Sequence, residues 1–200
     1  MKRGLLLAVL VAAGCQTATQ SKSGLPADSN DRLSHVWRSK QDRLGDYDYL
    51  YVADVQTDIS PHDRRAGPVG SAQLMLKQYL VGAMIRSDVF RHVTGTPPAA
   101  DSNAKILRLE CMIEQVKRGS QPLRYWVGMG SGLPKLHVRT QFVDQATGQV
   151  VCEVAKGTHG FSGREFFFGA LMTDSDVLED GIRSYARHLG EYVQKTAGEP

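Results

Sequence analysis

Cysteine is scarce in this sequence, with three among 200 residues, at positions 15, 111 and 152. None forms a CxxC pair, which removes the spacing expected of zinc ribbons, thioredoxin-type redox pairs and disulfide-dense scaffolds. No HExxH run occurs, and no two of the six histidines stand four residues apart. The spacing that helical metal ligation needs is therefore missing, and no metal site is expected. The nucleophile-elbow pattern GxSxG is also absent, so a serine hydrolase of that type is not indicated. No apolar run reaches the roughly 18 residues of a membrane-spanning helix. Charge of one sign is lacking too: 24 Lys and Arg face 21 Asp and Glu, a formal +3. Two of those positive charges are Lys2 and Arg3, which leaves about +1 for the rest of the chain and gives no electrostatic reason to expect nucleic acid as a partner. A 42% hydrophobic content and a mean hydropathy of −0.29 are ordinary for a globular chain.

The N-terminus carries the strongest signal. Met1-Lys2-Arg3 is a short positive segment, Gly4 to Val11 (GLLLAVLV) is apolar, and Ala12-Ala13-Gly14 are small. That order defines a secretory signal peptide over residues 1–14. Small residues ending on a cysteine, here Ala12-Ala13-Gly14-Cys15, resemble the bacterial lipobox, with alanine where leucine is usual three places before the cysteine. The resemblance implies diacylation of the Cys15 thiol, cleavage before it, and acylation of the new amine with a fatty chain such as palmitate. Two or more such chains anchor a protein stably. Gln16 follows Cys15 where an aspartate would suggest retention in the inner membrane. By the same resemblance, the expected location is the periplasmic side of the outer membrane.

Gln16 to Asp31 is polar and nearly without apolar groups, so it cannot bury enough surface to order itself. Residues 15–45 are read as the lipidated cysteine and a mostly flexible tether, the polar stretch having an r.m.s. reach of about 20–25 Å. A single domain is expected over 46–197.

The domain reads as β-α-β-β-β-α. Asp46 to Val55 is rich in Tyr and Val and is expected to be a strand. Ser71 can N-cap a helix to about Ser87, with Met75, Leu76, Tyr79, Leu80 and Ala83 on one face. Leu74, Val81 and Ile85 form a second stripe, explained either by cover from the segment around Leu33, Val36 and Trp37 or by a partner. Lys105–Val116, Lys135–Asp144 and Gln149–Ala155 alternate as strands. Leu107, Leu109, Cys111 and Ile113 are expected inward on the first of these. Leu136, Val138, Thr140 and Phe142 are expected inward on the second, and Val150, Cys152 and Val154 on the third.

A three-residue turn, Ala146-Thr147-Gly148, with Gly148 left-handed, would place Gln145 opposite Gln149 and Phe142 opposite Cys152. On the other face Glu110 and Glu114 can meet Arg139 and His137. The middle strand then separates Cys111 from Cys152 by about 9.6 Å, beyond disulfide reach, so two buried free thiols are expected. Asp174 to Thr196 is the clearest helix, with Leu178, Ile182, Tyr185, Ala186, Leu189, Tyr192 and Val193 on one arc. The fold class is α+β: a two-layer sandwich of a mixed sheet with both helices on one face. The first strand is expected parallel to its neighbour.

Three segments could carry contacts. Arg124, Tyr125 and Trp126 precede the glycine-rich Gly128-Met129-Gly130-Ser131-Gly132 and are either a contact group or ordinary packing. Phe166, Phe167 and Phe168 lie in a very apolar stretch, 161–172, which either closes the core or docks against a partner or membrane. The glycine run has no following helix start and no GK[ST], so it reads as a bend entering a strand rather than a phosphate loop.

Ser87-Asp88-Val89-Phe90 with Val93, Gly128-Met129-Gly130-Ser131-Gly132 and Val143-Asp144-Gln145-Ala146-Thr147-Gly148 together resemble a group of small bacterial lipoproteins, the domain of unknown function 4410. Gly157, Gly160 and the amphipathic last helix complete the set, over about residues 46–195. The order is also similar to periplasmic accessory domains of secretion, curli and Tol-type systems. The resemblance implies location and fold and brings no catalytic residues.

Two functional readings follow. The first is a non-enzymatic outer-membrane lipoprotein that binds an envelope protein or polymer and uses no cofactor. The second is a small-ligand-binding or hydrolytic domain using the 128–132 loop with Arg124, Lys135 and His137. The oligomeric state is not readable.

Overall fold

A computed structural model describes residues 33, 35–59, 69–98, 104–117, 135–159 and 174–198. Their strands are β1 (His35–Arg38), β2 (Tyr49–Val52), β3 (Gln56–Thr57), β4 (His92–Thr94), β5 (Ile106–Lys117), β6 (Lys135–Asp144) and β7 (Val150–His159). The helices are α1 (Val69–Ser87) and α2 (Asp174–Thr196), and a 3-10 turn spans Leu44–Asp46. The strands make one mixed sheet in the order β1-β7-β6-β5-β2-β4, with β3 also paired to β5. The β5-β6-β7 meander is antiparallel, and β2 runs parallel to β5, as the helical connection requires.

Alternation decides which side of the sheet is covered. Leu107, Leu109, Cys111 and Ile113 of β5 are buried, as are Leu136, Val138, Thr140 and Phe142 of β6. Leu50 and Val52 of β2 join them, while Tyr49 and Tyr51 are only partly covered. Against this face lie Leu76, Leu80 and Met84 of α1 and Ile182, Tyr185 and Leu189 of α2. Each large side chain so buried contributes about 1.5–3 kcal/mol before entropy is charged.

The helices meet closely at Gly190: a Cβ there would stand 3.0 Å from the Ala83 carbonyl oxygen. Across the same contact the Tyr79 hydroxyl donates to Glu179 at 2.6 Å, and the Arg183 guanidinium lies 5.5 Å over the Tyr79 ring. The ion pairs around Arg183 are solvent-exposed and add little.

The two-layer α+β architecture, the central meander and the α2 stripe follow the sequence pattern, and several details do not. The boundary expected at residue 46 is too late. Leu33, Val36 and Leu44 are core residues, and β1 adds an antiparallel edge strand beside β7. Packed structure therefore begins inside the segment read as tether, because three apolar side chains spaced along it each reach the core. Helix α1 starts at Val69, two residues before Ser71, which lies within its first turn. The segment around Leu33 and Val36 lies with β7, on the opposite edge of the sheet from β2 and β4, and does not cover the second stripe of α1. Leu74 and Ile85 stay 61% and 57% exposed.

The β6–β7 hairpin keeps the expected pairing Phe142–Cys152, with Thr140 opposite Val154 beyond it, but reaches that register differently. Asp144 Oδ1 accepts from the backbone N–H groups of Ala146 and Thr147, both at 2.8 Å, an Asx-type turn that starts at Asp144. Gly148 closes it at φ +70°, a left-handed conformation that glycine takes without a Cβ penalty. The Asp144 N–H donates to Gln149, and Val143 pairs with Val150, so the loop holds four residues. Val151 is the extra residue of a bulge that restores the inner register. Gln145 thus does not face Gln149, and its N–H instead donates to the Ile106 carbonyl. Val151 is buried, and Val150 is only partly so.

Candidate functional site: the open sheet face

The face away from the helices carries the outward residues of β5, β6 and β7, held in a grid by the strand pairing. Glu110 is opposite Gln141, Gln141 opposite Glu153, and Glu153 opposite Trp37. One row further along, Gln56, Met112, Arg139 and Ala155 align. Arg139 pairs with Glu114 at 2.6 Å, the two side chains being 15% and 16% exposed. This contact is the one anticipated across the strands. Glu110 instead pairs along its own strand with Arg108 at 2.5 Å, because Gln141 rather than a base stands opposite it. Gln141 Nε2 donates to Glu153 Oε2 at 2.6 Å, and Glu153 is almost fully buried.

A groove of about 470 Å³ opens on this face, lined by Tyr51, Gln56, Arg108, Met112, Arg139 and Gln141 among others. Its floor is β5, and its wall is the turn between β2 and β3. That turn inserts one extra residue against β5: Val52 pairs with Leu109 and Gln56 with Met112. The interruption directs Asp54 toward α1, where Lys77 donates to it at 2.7 Å. The Nε atoms of Arg108 and Arg139 are buried with no hydrogen-bond partner among the described residues. Each guanidinium reaches a carboxylate through Nη, so the groove is of mixed charge. Sequence reasoning did not find it. The outward residues were legible as a solvated face, but the concavity comes from the β2–β3 interruption, which has no periodic signature.

The two thiols lie on the other side of the sheet, buried and unbridged. Burial pushes both up to about 12, so neither is a nucleophile at neutral pH. Beside them, Thr140 Oγ1 lies 2.6 Å from the Tyr185 hydroxyl and can donate to Cys111 Sγ at 3.4 Å. Burial, with the nearby Cys111, raises Tyr185 well above the usual phenol range. This polar group knits sheet to helix and has no route to solvent.

Cys15, Arg124, Tyr125, Trp126, Phe166, Phe167 and Phe168 all lie outside the described residues, as does the glycine run 128–132. Lys135 and His137 share the open face with Arg139, on β6. Among the described residues no group of three or more His, Cys, Asp or Glu could hold a metal ion, and no helix is long and apolar enough to cross a membrane.

These features define an open mixed-sheet α+β domain with two helices on one face. Residues 68–163 match the family model of a domain of unknown function (DUF4410), which bears out the resemblance seen in the sequence motifs over a narrower span. Within that span Ser87-Asp88 ends α1, with Asp88 left-handed at φ 55° and the Ser87 hydroxyl donating to the Met84 carbonyl at 2.7 Å. Phe90 then returns to the core. Comparison with curated proteins gives no match.

Among solved structures, dodecameric PelC from Paraburkholderia phytofirmans is similar at 15% identity and TM-score 0.47, over 76% of this chain and 94% of that one. A DUF330 protein from Xanthomonas campestris is similar at 13% and 0.43, over 74% and 84%. A DUF4136 protein from Bacteroides thetaiotaomicron is similar at 14% and 0.37, over 80% and 98%. Likeness at this level carries no argument about function.

Proposed function

We propose that the protein is a non-enzymatic lipoprotein held by acyl chains on Cys15 at the periplasmic side of the outer membrane. There it serves as an accessory or interaction module for an envelope protein or polymer. The observation that carries this reading is the leader: a positive start, a short apolar run, three small residues and Cys15, followed by Gln16 and a polar stretch. The open face supports the interaction part, since a groove bordered by ion pairs suits recognition of a partner surface.

Two experiments test the proposal. Palmitate labelling and membrane sedimentation of the full chain should both be lost in Cys15→Ser; a serine variant that still incorporates label and sediments overturns the anchor. Photoreactive residues at Trp126 and Phe167 should each give a discrete adduct in cells; absence of a specific adduct at both positions overturns the interaction role.

A further inference from the structure

Helix α1 has a second face. At 100° per residue, Gly70, Ser71, Gln78 and Val81 lie within roughly 60° of the line through Leu74 and Ile85. Every one of these residues is uncharged, and α1 contains no acidic residue at all. Its two cations flank the stripe. Lys77 is tied to Asp54, and the Arg86 guanidinium folds back over Gly82, 3.2 Å from where a Cβ would stand. Arg91 is exposed just beyond the helix, with Asp88 as the neighbouring acid. Gly95 packs against Lys77 and Val81 and covers one side of the stripe, which leaves Leu74 and Ile85 standing proud.

We infer that this face of α1 rests on the surface of an anionic lipid bilayer, Leu74 and Ile85 entering the acyl boundary while Arg86 reaches the headgroups. The inference deepens the anchor reading and rests on it. Size argues for a bilayer over a protein. Two aliphatic side chains of partial exposure offer roughly a quarter of the about 800 Å² that each partner of a stable protein complex buries. Alone, such a patch binds only weakly. A covalent anchor changes the requirement. Cys15 precedes Leu33 by a short stretch whose fully extended reach is about 60 Å. That length lets the helix layer touch the bilayer and holds it there at an effective concentration in the millimolar range, where weak contacts are occupied. An uncharged stripe with basic groups at its rim is the form such contacts take.

The test uses the acylated full chain in vesicles of phosphatidylglycerol and phosphatidylcholine that contain nitroxide-bearing lipid. Single reporter cysteines replace Leu74, Ile85 or, at the hairpin, Thr147, and each carries a fluorophore; buried Cys111 and Cys152 stay unlabelled. Quenching at positions 74 and 85 should exceed that at 147 by at least threefold. It should fall by half or more with Arg86→Glu or in pure phosphatidylcholine. Equal quenching at all three positions, with vesicle flotation still dependent on Cys15, overturns the orientation and leaves the anchor standing. Failure of the wild-type chain to float overturns both. Cross-linking between two copies through position 74, with no quenching, shows self-association and overturns the bilayer assignment.

Discussion

The two helices of this domain do the same structural work with opposite surfaces. Helix α2 buries one arc of apolar residues and shows solvent a charged one, so its pattern alone says which way it faces. Helix α1 buries Ala72, Leu76, Leu80, Ala83 and Met84, yet its far side is uncharged and carries Leu74 and Ile85 in the open. Where apolar residues occupy both sides of a helix, burial is decided by what packs against it. The lesson is that a clean amphipathic pattern reports a helix with one duty. A helix apolar on two sides has a neighbour on one and an unassigned surface on the other.

Substitutions on the two faces break this contrast most sharply. Leu80→Ala should cost about 2–5 kcal/mol in denaturant unfolding, whereas Leu74→Ala should stay within about 0.5 kcal/mol. Equal effects would show that the outer stripe is covered. At the crossing of the helices, Gly190→Val places a branched side chain against the Ala83 backbone and should cost about 1–3 kcal/mol or more in thermal unfolding. A neutral result would mean that the helices can separate freely. Tyr185→Phe removes the hydroxyl that meets Thr140 and should cost about 1 kcal/mol, measured as a lower denaturant midpoint.

A comparably small effect belongs to the hairpin. Burial opposes ionisation of Asp144, but hydrogen bonds from the Thr147 and Ala146 N–H groups and from Tyr47 outweigh it and lower its pKa. Its contribution is therefore present above the unfolded carboxyl value of about 3.9 and is lost as pH falls through the lower folded value. Asp144→Ala should cost no more than about 1 kcal/mol at pH 7, solvent screening included, and the gap to wild type should close in acid.

Long periodic elements were legible from the residues alone. Strand β6 and helix α2 begin and end where the pattern places them, since ten and twenty-three residues give periodicity room to show. Strands β1 and β4, four and three residues long, have no such room, and each exists because a neighbouring strand offers an edge. The Arg139–Glu114 pair could be anticipated because alternation puts both side chains on the outward face of the sheet. The groove beside it could not, since it arises where β2 and β3 part over one inserted residue. Glu153 gave no warning either: it occupies an outward position yet is enclosed by Gln141 and its neighbours.

Val151 gives the hairpin tip an unusual tolerance. Pairing below Phe142 is the same whether four residues turn with a bulge or three turn without one, so the tip has two routes to one sheet. Shortening the connection by a single residue could be absorbed by straightening β7 at that point, and the strands facing the helices would not register the change. Length variation at this corner is thereby uncoupled from the packing that holds the molecule together.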